Sequence, residues 1–168
     1  MIAVPGTDPR ADGPDWWRAG TTVVRPFGYG HDAPIARRID GTELFVGNAH
    51  AADRERCDRS FDRVLSVTAE PRPATTHHRP LVDGPDNEWA AFEAAADTAC
   101  RLLREPGESL LVHCSHGISR SAVVTAVALA VSEERSLRDA LALVRSARPP
   151  ATVHPVLREQ AVYYLAKR

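Results

Sequence analysis

Cysteine is scarce: Cys57, Cys100 and Cys114 are the only three in 168 residues. An odd, sparse count argues against a disulfide framework and for a reducing compartment. An excess of charge of one sign is missing too. The formal net charge is -1, so no global basic field points to nucleic acid or an anionic membrane, although a local positive pocket is compatible with that balance. Long hydrophobic runs are absent; the longest, Ala122 to Val131, falls well short of the roughly 20 residues that cross a bilayer. No repeat or low-complexity tract occurs, and the opening residues lack a basic-then-apolar leader. A cytoplasmic protein without a membrane association is expected.

What is present suits a single globular domain. Hydrophobic residues make up 43% and charged residues 26% of the chain, and 168 residues fit one sizeable core but not two. Residues 1–20 are rich in Pro, Gly and Asp and read as a loosely ordered extension, with Trp16 and Trp17 packing onto a domain formed by residues 21–168.

From Glu43 onward, strand-like and helix-like pieces alternate. Leu44-Phe45-Val46 reads as a strand ended by Gly47, Ala49 to Ser60 as a weakly signalled helix, and Arg63 to Val67 as a second strand. A proline-rich loop from Glu70 to Pro80 contains His77 and His78, which are expected to be solvated. Leu81-Val82 reads as a short strand end before the turn residues Asp83-Gly84-Pro85-Asp86. Trp89, Phe92, Ala96, Ala99 and Leu103 fall near one face of a helix. Ser109 to His113 is an apolar run suited to a strand buried on both faces, and Ser119 to Glu134 is apolar nearly all round, as a buried helix is. Ser136 to Asp139 resembles a capping box, and a last helix follows Pro155. This alternation predicts an α/β domain with a mostly parallel central sheet flanked by helices, whose ligand site lies beyond the carboxyl ends of the strands.

The loop at such an end reads His113-Cys114-Ser115-His116-Gly117-Ile118-Ser119-Arg120-Ser121. A strand–loop–helix turn gathers backbone N–H groups around one concavity, and the helix N-terminus adds partial positive charge; both favour an oxyanion. Gly117 allows the tight turn. Cys114 is placed to become a thiolate, Arg120 to grip two oxygens with its planar fork, and Ser121 to donate a hydrogen bond to the sulfur. A lone cysteine after an apolar strand is ordinarily a core residue; the whole constellation is hard to explain as packing.

This segment resembles the phosphate-binding loop of the protein tyrosine phosphatase superfamily, His-Cys, five residues, Arg-Ser. Its interior, with Gly three residues after Cys and Ser before Arg, is most similar to the dual-specificity phosphatases. The likeness runs from about residue 43 to residue 165 and includes Leu44-Phe45-Val46-Gly47-Asn48-Ala49 and Arg148-Pro149-Pro150. Where many members have Asn before a proline, this chain has His154-Pro155.

The resemblance implies a metal-independent phosphatase that hydrolyses phosphotyrosine and phosphoserine or phosphothreonine in proteins through a phosphocysteine intermediate. It implies a nucleophile at Cys114, phosphate binding by Ser115, His116, Gly117, Ile118, Ser119 and Arg120, and a loop-orienting, thiolate-supporting role for His113. It also implies a proton donor about thirty residues before the cysteine, which points to Asp83. Asp86 competes, but its place before the helix suits an N-cap, and Glu88 suits the first helical turn. No cofactor is expected. No metal-like spacing links His77, His78 and His116. The partner expected is a phosphorylated protein met by a monomer. A phosphate-binding module without turnover, or an RNA 5′-triphosphatase, is the alternative. The second is suggested by His116-Gly117 and opposed by the near-zero net charge.

Overall fold

The computed structural model describes residues 33–168 together with two strands before them, Trp17–Ala19 (β1) and Thr22–Val24 (β2). These two pair antiparallel, Trp17 opposite Val24. Apart from β1, the extension expected over residues 1–20 lies outside the described residues, as does Trp16.

Five further strands form one sheet: Ala36–Arg38 (β3), Leu44–Gly47 (β4), Arg63–Ser66 (β5), His77–His78 (β6) and Leu110–His113 (β7), in the order β3-β4-β7-β5-β6. Only the β3–β4 pairing is antiparallel in this sheet. Strand β7 sits at the centre, with Val112 level with Val46 on one side and Leu65 on the other. Its near-continuous apolar run has a simple cause, since alternate residues feed opposite faces. Leu110 and Val112 join a large core with Leu44, Val46, Leu65 and the helices, while Leu111 joins Phe45, Val64, Ala51 and Ala52 on the other side.

The helices are Trp89–Arg104 (α1), Arg120–Glu133 (α2), Leu137–Ala147 (α3) and Pro155–Ala166 (α4). Helix α2 touches α1, α3 and α4 as well as β4 and β7, and its residues from Ser121 to Ala130 are all buried. Small Ala and Val side chains let all these neighbours approach. Among the described residues no helix is long and apolar enough to cross a membrane.

Local chemistry overrode periodicity at several points. Between Ala49 and Ser60 only a 3-10 helix forms, Ala49–Ala52, capped by the Asn48 side chain. Asp53 then takes an extended backbone and its carboxylate accepts from the Glu55 N–H at 3.0 Å, a local bond that competes with continuing the helix. His77 and His78 are not a solvated loop; they pair with Leu65 and Ser66 as an added parallel strand and are half-buried. Leu81-Val82 is not a strand, and the Leu81 N–H is held by the Val67 carbonyl. Nor does Asp86 cap α1, because the N-cap position falls to Glu88, which makes no side-chain cap bond.

Candidate active site

Strands β4, β5 and β7 end side by side, and the loop after β7 is fastened to both neighbours. The Cys114 N–H donates to Gly47 O at 3.3 Å, the Ala49 N–H to Ser115 O at 3.3 Å, and the Val67 N–H to His113 O at 3.1 Å. Gly117 turns the loop back with φ of 71°, a left-handed conformation. Ser115 is exposed, and His116 and Arg120 are partly so, over a buried floor of Cys114, Gly117, Ile118 and Ser119.

Donors converge on the Cys114 sulfur. The Ser121 hydroxyl lies 3.1 Å from Sγ and the Gly117 N–H donates to it at 3.3 Å. Burial by itself pushes this thiol up. The Arg120 guanidinium, the Ser121 hydroxyl and the backbone N–H groups of Ser121 and Ile118 outweigh that effect and bring it below its ordinary range. Arg120 donates through Nη1 to Leu81 O at 3.2 Å and through Nη2 to Ser115 Oγ at 3.1 Å. Its Nε is buried without a hydrogen-bond partner, a donor suited to an incoming oxyanion. Ile118 offers only its backbone, since its side chain is fully buried in the core. His116 is braced from behind, where Arg148 Nη2 donates to its carbonyl at 3.0 Å.

His113 is fully buried, and burial pushes its pKa down to about 4. The ring is therefore neutral at pH 7 and supplies no positive charge to the thiolate. Its Nδ1 lies 3.3 Å from the Cys114 carbonyl, which can only accept, so Nδ1 carries the hydrogen. Nε2 must then accept, and Ser66 Oγ donates to it at 2.5 Å. Thr75 Oγ1 donates in turn to Ser66 Oγ at 2.6 Å and accepts from the Arg72 N–H at 2.7 Å. With the Cys114 carbonyl drawn toward His113, the trans peptide turns the Ser115 N–H the opposite way. Ser66 and Thr75 carried no signal in the sequence, because each reaches the site through tertiary contacts alone.

A neutral buried histidine also makes stability depend on pH. The unfolded chain protonates His113 near pH 6.5 and the folded chain only near 4, so its contribution is fully present above the upper value and lost as pH falls between the two. The expected loss is on the order of 3 kcal/mol. Denaturant melts at pH 7 and pH 5 are expected to show a decline that is shallower in His113→Asn.

Asp83 is brought to this loop. Ser119 Oγ donates to Asp83 Oδ1 at 2.7 Å. The backbone around Asp83 is held by the Arg120–Leu81 bond and by Asn87, whose Oδ1 accepts from the Val82 N–H at 2.7 Å. Asn87 is itself tied to α4 through Gln160 at 2.8 Å. Asp86 is exposed. His154, where an asparagine was the commoner residue of the resembled pattern, does an asparagine's work: its Nδ1 accepts from the Val156 N–H at 3.1 Å and caps α4, with Pro155 in the first turn.

Comparison with known proteins matches residues 44–163 to the model of the dual specificity phosphatase catalytic domain. Human Dual specificity phosphatase 28 is 33% identical over 119 residues, which covers 67% of this chain and 68% of that protein. Bovine Dual specificity protein phosphatase 26 is 40% identical over 57 residues, and there the match spans only 27% of the relative's length. The crystal structure of human DUSP28 superposes with a TM-score of 0.64 at 27% identity, covering 80% of this chain and 97% of that one. A mouse putative dual specificity phosphatase, solved with zinc tungstate, gives a TM-score of 0.66 at 28% identity, covering 84% and 93%. With a family model spanning β4, the loop and most of α4, the chain belongs to the dual-specificity phosphatases.

Proposed function

We propose that this protein is cytoplasmic and, as a monomer, hydrolyses phosphate monoesters on phosphotyrosine and phosphoserine or phosphothreonine in proteins through a phosphocysteine intermediate. The observation that carries this reading is the geometry at Cys114, whose sulfur lies 3.1 Å from the Ser121 hydroxyl and accepts from the Gly117 N–H at 3.3 Å in the loop that Arg120 closes through Ser115 Oγ. In the first step the sulfur attacks phosphorus in line, while Asp83 protonates the departing oxygen. In the second, ionised Asp83 takes a proton from water, whose oxygen displaces the sulfur. Arg120 and the loop amides meet the charge on the transferring phosphoryl group, so the chemistry calls on no metal ion.

Hydrolysis of an aryl phosphate with chelator present tests this directly. Steady turnover is expected; no turnover, or turnover restored only by a divalent metal, would rule the mechanism out. Asp83→Asn is expected to leave alkylation of Cys114 unchanged and to slow cleavage of a phosphotyrosine peptide by about 10²- to 10⁴-fold, the usual span of a general acid. Stopped-flow release of the peptide product reads the difference.

A further inference from the structure

Ser119 occupies the N-cap position of α2, where a serine ordinarily turns its oxygen toward the amides of the first turn. It makes no such bond. Its hydroxyl instead accepts from the His154 N–H at 2.9 Å and donates to Asp83 Oδ1 at 2.7 Å. The residue is 1% exposed, so water does not compete strongly for either bond. Forgoing the cap gives up helix stability, and the first-turn N–H of Ser121 is left to the Cys114 sulfur.

We propose that Ser119 is a positioning residue for the general acid, holding the Asp83 carboxyl over the loop and deciding which of its oxygens carries the transferable proton. The inference rests on Asp83 being the acid, as proposed above. A hydroxyl has one hydrogen to give. Because Oδ1 receives it, the proton of the acid form belongs on Oδ2. As the sulfur–phosphorus bond forms, the ester oxygen–phosphorus bond breaks, its electron pair stays on the leaving oxygen, and Oδ2 delivers its proton there. The products of that half are the free alcohol or phenol and an ionised Asp83. When water attacks phosphorus, the sulfur–phosphorus bond breaks with its pair returning to sulfur, and Oδ2 takes the water proton. Ser119 donates to Oδ1 through both halves and need not move.

The acceptor side of Ser119 is equally well held. The His154 N–H belongs to the residue whose ring caps α4 and whose successor is Pro155. Thus the start of α4 fixes Ser119, and Ser119 fixes Asp83. The Arg120–Leu81 and Asn87–Val82 bonds place the backbone just before Asp83, whereas Ser119 grips the carboxyl itself.

Protonation matters most for leaving groups that are poor as anions, so the test is a series of esters. We would measure kcat/KM for aryl phosphates of rising phenol pKa and for a phosphoserine peptide. Ser119→Ala is expected to lose activity progressively along the series, with the loss about tenfold greater for phosphoserine than for the most acidic phenol. Ser119→Thr, which keeps the hydroxyl, is expected to flatten the trend again. The pH profile of Cys114 alkylation is expected to stay in place. An equal loss across the series, or an alkylation profile that moves with it, would make the hydroxyl merely structural and overturn the proposal. Asp83→Asn in the same series separates the two claims. A steep trend there with a flat one for Ser119→Ala refutes the role of Ser119 alone, and flat trends for both refute the acid assignment as well. Should Ser119→Ala not fold, Ser119→Cys, close in volume and a weak donor, is held to the same outcomes.

Discussion

Replacing Cys114 with serine is expected to lower turnover by on the order of 10⁴-fold or more, the scale seen when a covalent nucleophile is removed. The environment that lowers the thiol's pKa cannot make a hydroxyl anionic, because its pKa starts many units higher. Arg120, the Ser121 hydroxyl and three backbone amides are enough to overcome burial for a thiol; they are not enough for an alcohol. Binding follows a different rule. The thiolate is a negative charge facing a negative phosphate, so a neutral serine removes a repulsion while leaving Arg120 and the loop amides in place. Calorimetric titration with a phosphotyrosine peptide is expected to show affinity equal to or above that of the unaltered protein, together with no measurable product. Turnover near the original rate would refute the mechanism, and loss of peptide binding would show that the loop had collapsed. Cys100 is not a substitute nucleophile on these grounds: it is buried beside Tyr164, and burial pushes its thiol up.

How far the sequence revealed this site depended on the range of the contacts involved. Ser109 to Glu134 is one continuous strand–loop–helix passage, and its periodicity and turn glycine placed Cys114, Gly117 and Arg120 without tertiary information. Asp83 stands 36 residues from the hydroxyl that holds it, and only the family resemblance pointed to it. The support behind His113 was invisible, since Ser66 lies 47 residues away and an isolated serine in a strand carries no sign of what it will face. The misread helix after Asn48 has a local cause, and the unrecognised strand at His77 a long-range one. Asp53 preferred a local turn, and the His77–His78 pair acquired strand geometry from β5, neither of which alternation of apolar residues can express.

Gly117→Ala is expected to be a severely damaging single-methyl change, for two separable reasons. The backbone there has φ of 71°, where a Cβ crowds the following carbonyl; that strain alone costs roughly 1–2 kcal/mol. The added Cβ would also lie 2.7 Å from both C and O of Gly47 and 3.2 Å from the Asn48 nitrogen. These are backbone atoms at the end of β4, with no rotamer to yield, so the loop itself must lift. Overpacking of that kind adds about 1–3 kcal/mol. At about 2–4 °C per kcal/mol for a chain of this size, the melting temperature is expected to fall by about 5–15 °C. Gly41 supplies the control, because its φ is 75° and nothing lies within 4 Å of its Cβ position. Gly41→Ala therefore carries the strain without the collision, and the gap between the two melting curves measures the collision. Catalysis is expected to suffer beyond stability, because the Gly117 N–H is one of the donors to Cys114 Sγ. Lifting the loop away from β4 draws that amide off the sulfur, so the thiol should titrate higher and kcat/KM should drop by about 10²-fold or more even where the variant is fully folded. Equal melting temperatures for the two alanine variants, with turnover intact in Gly117→Ala, would mean that the loop does not depend on its seat against β4.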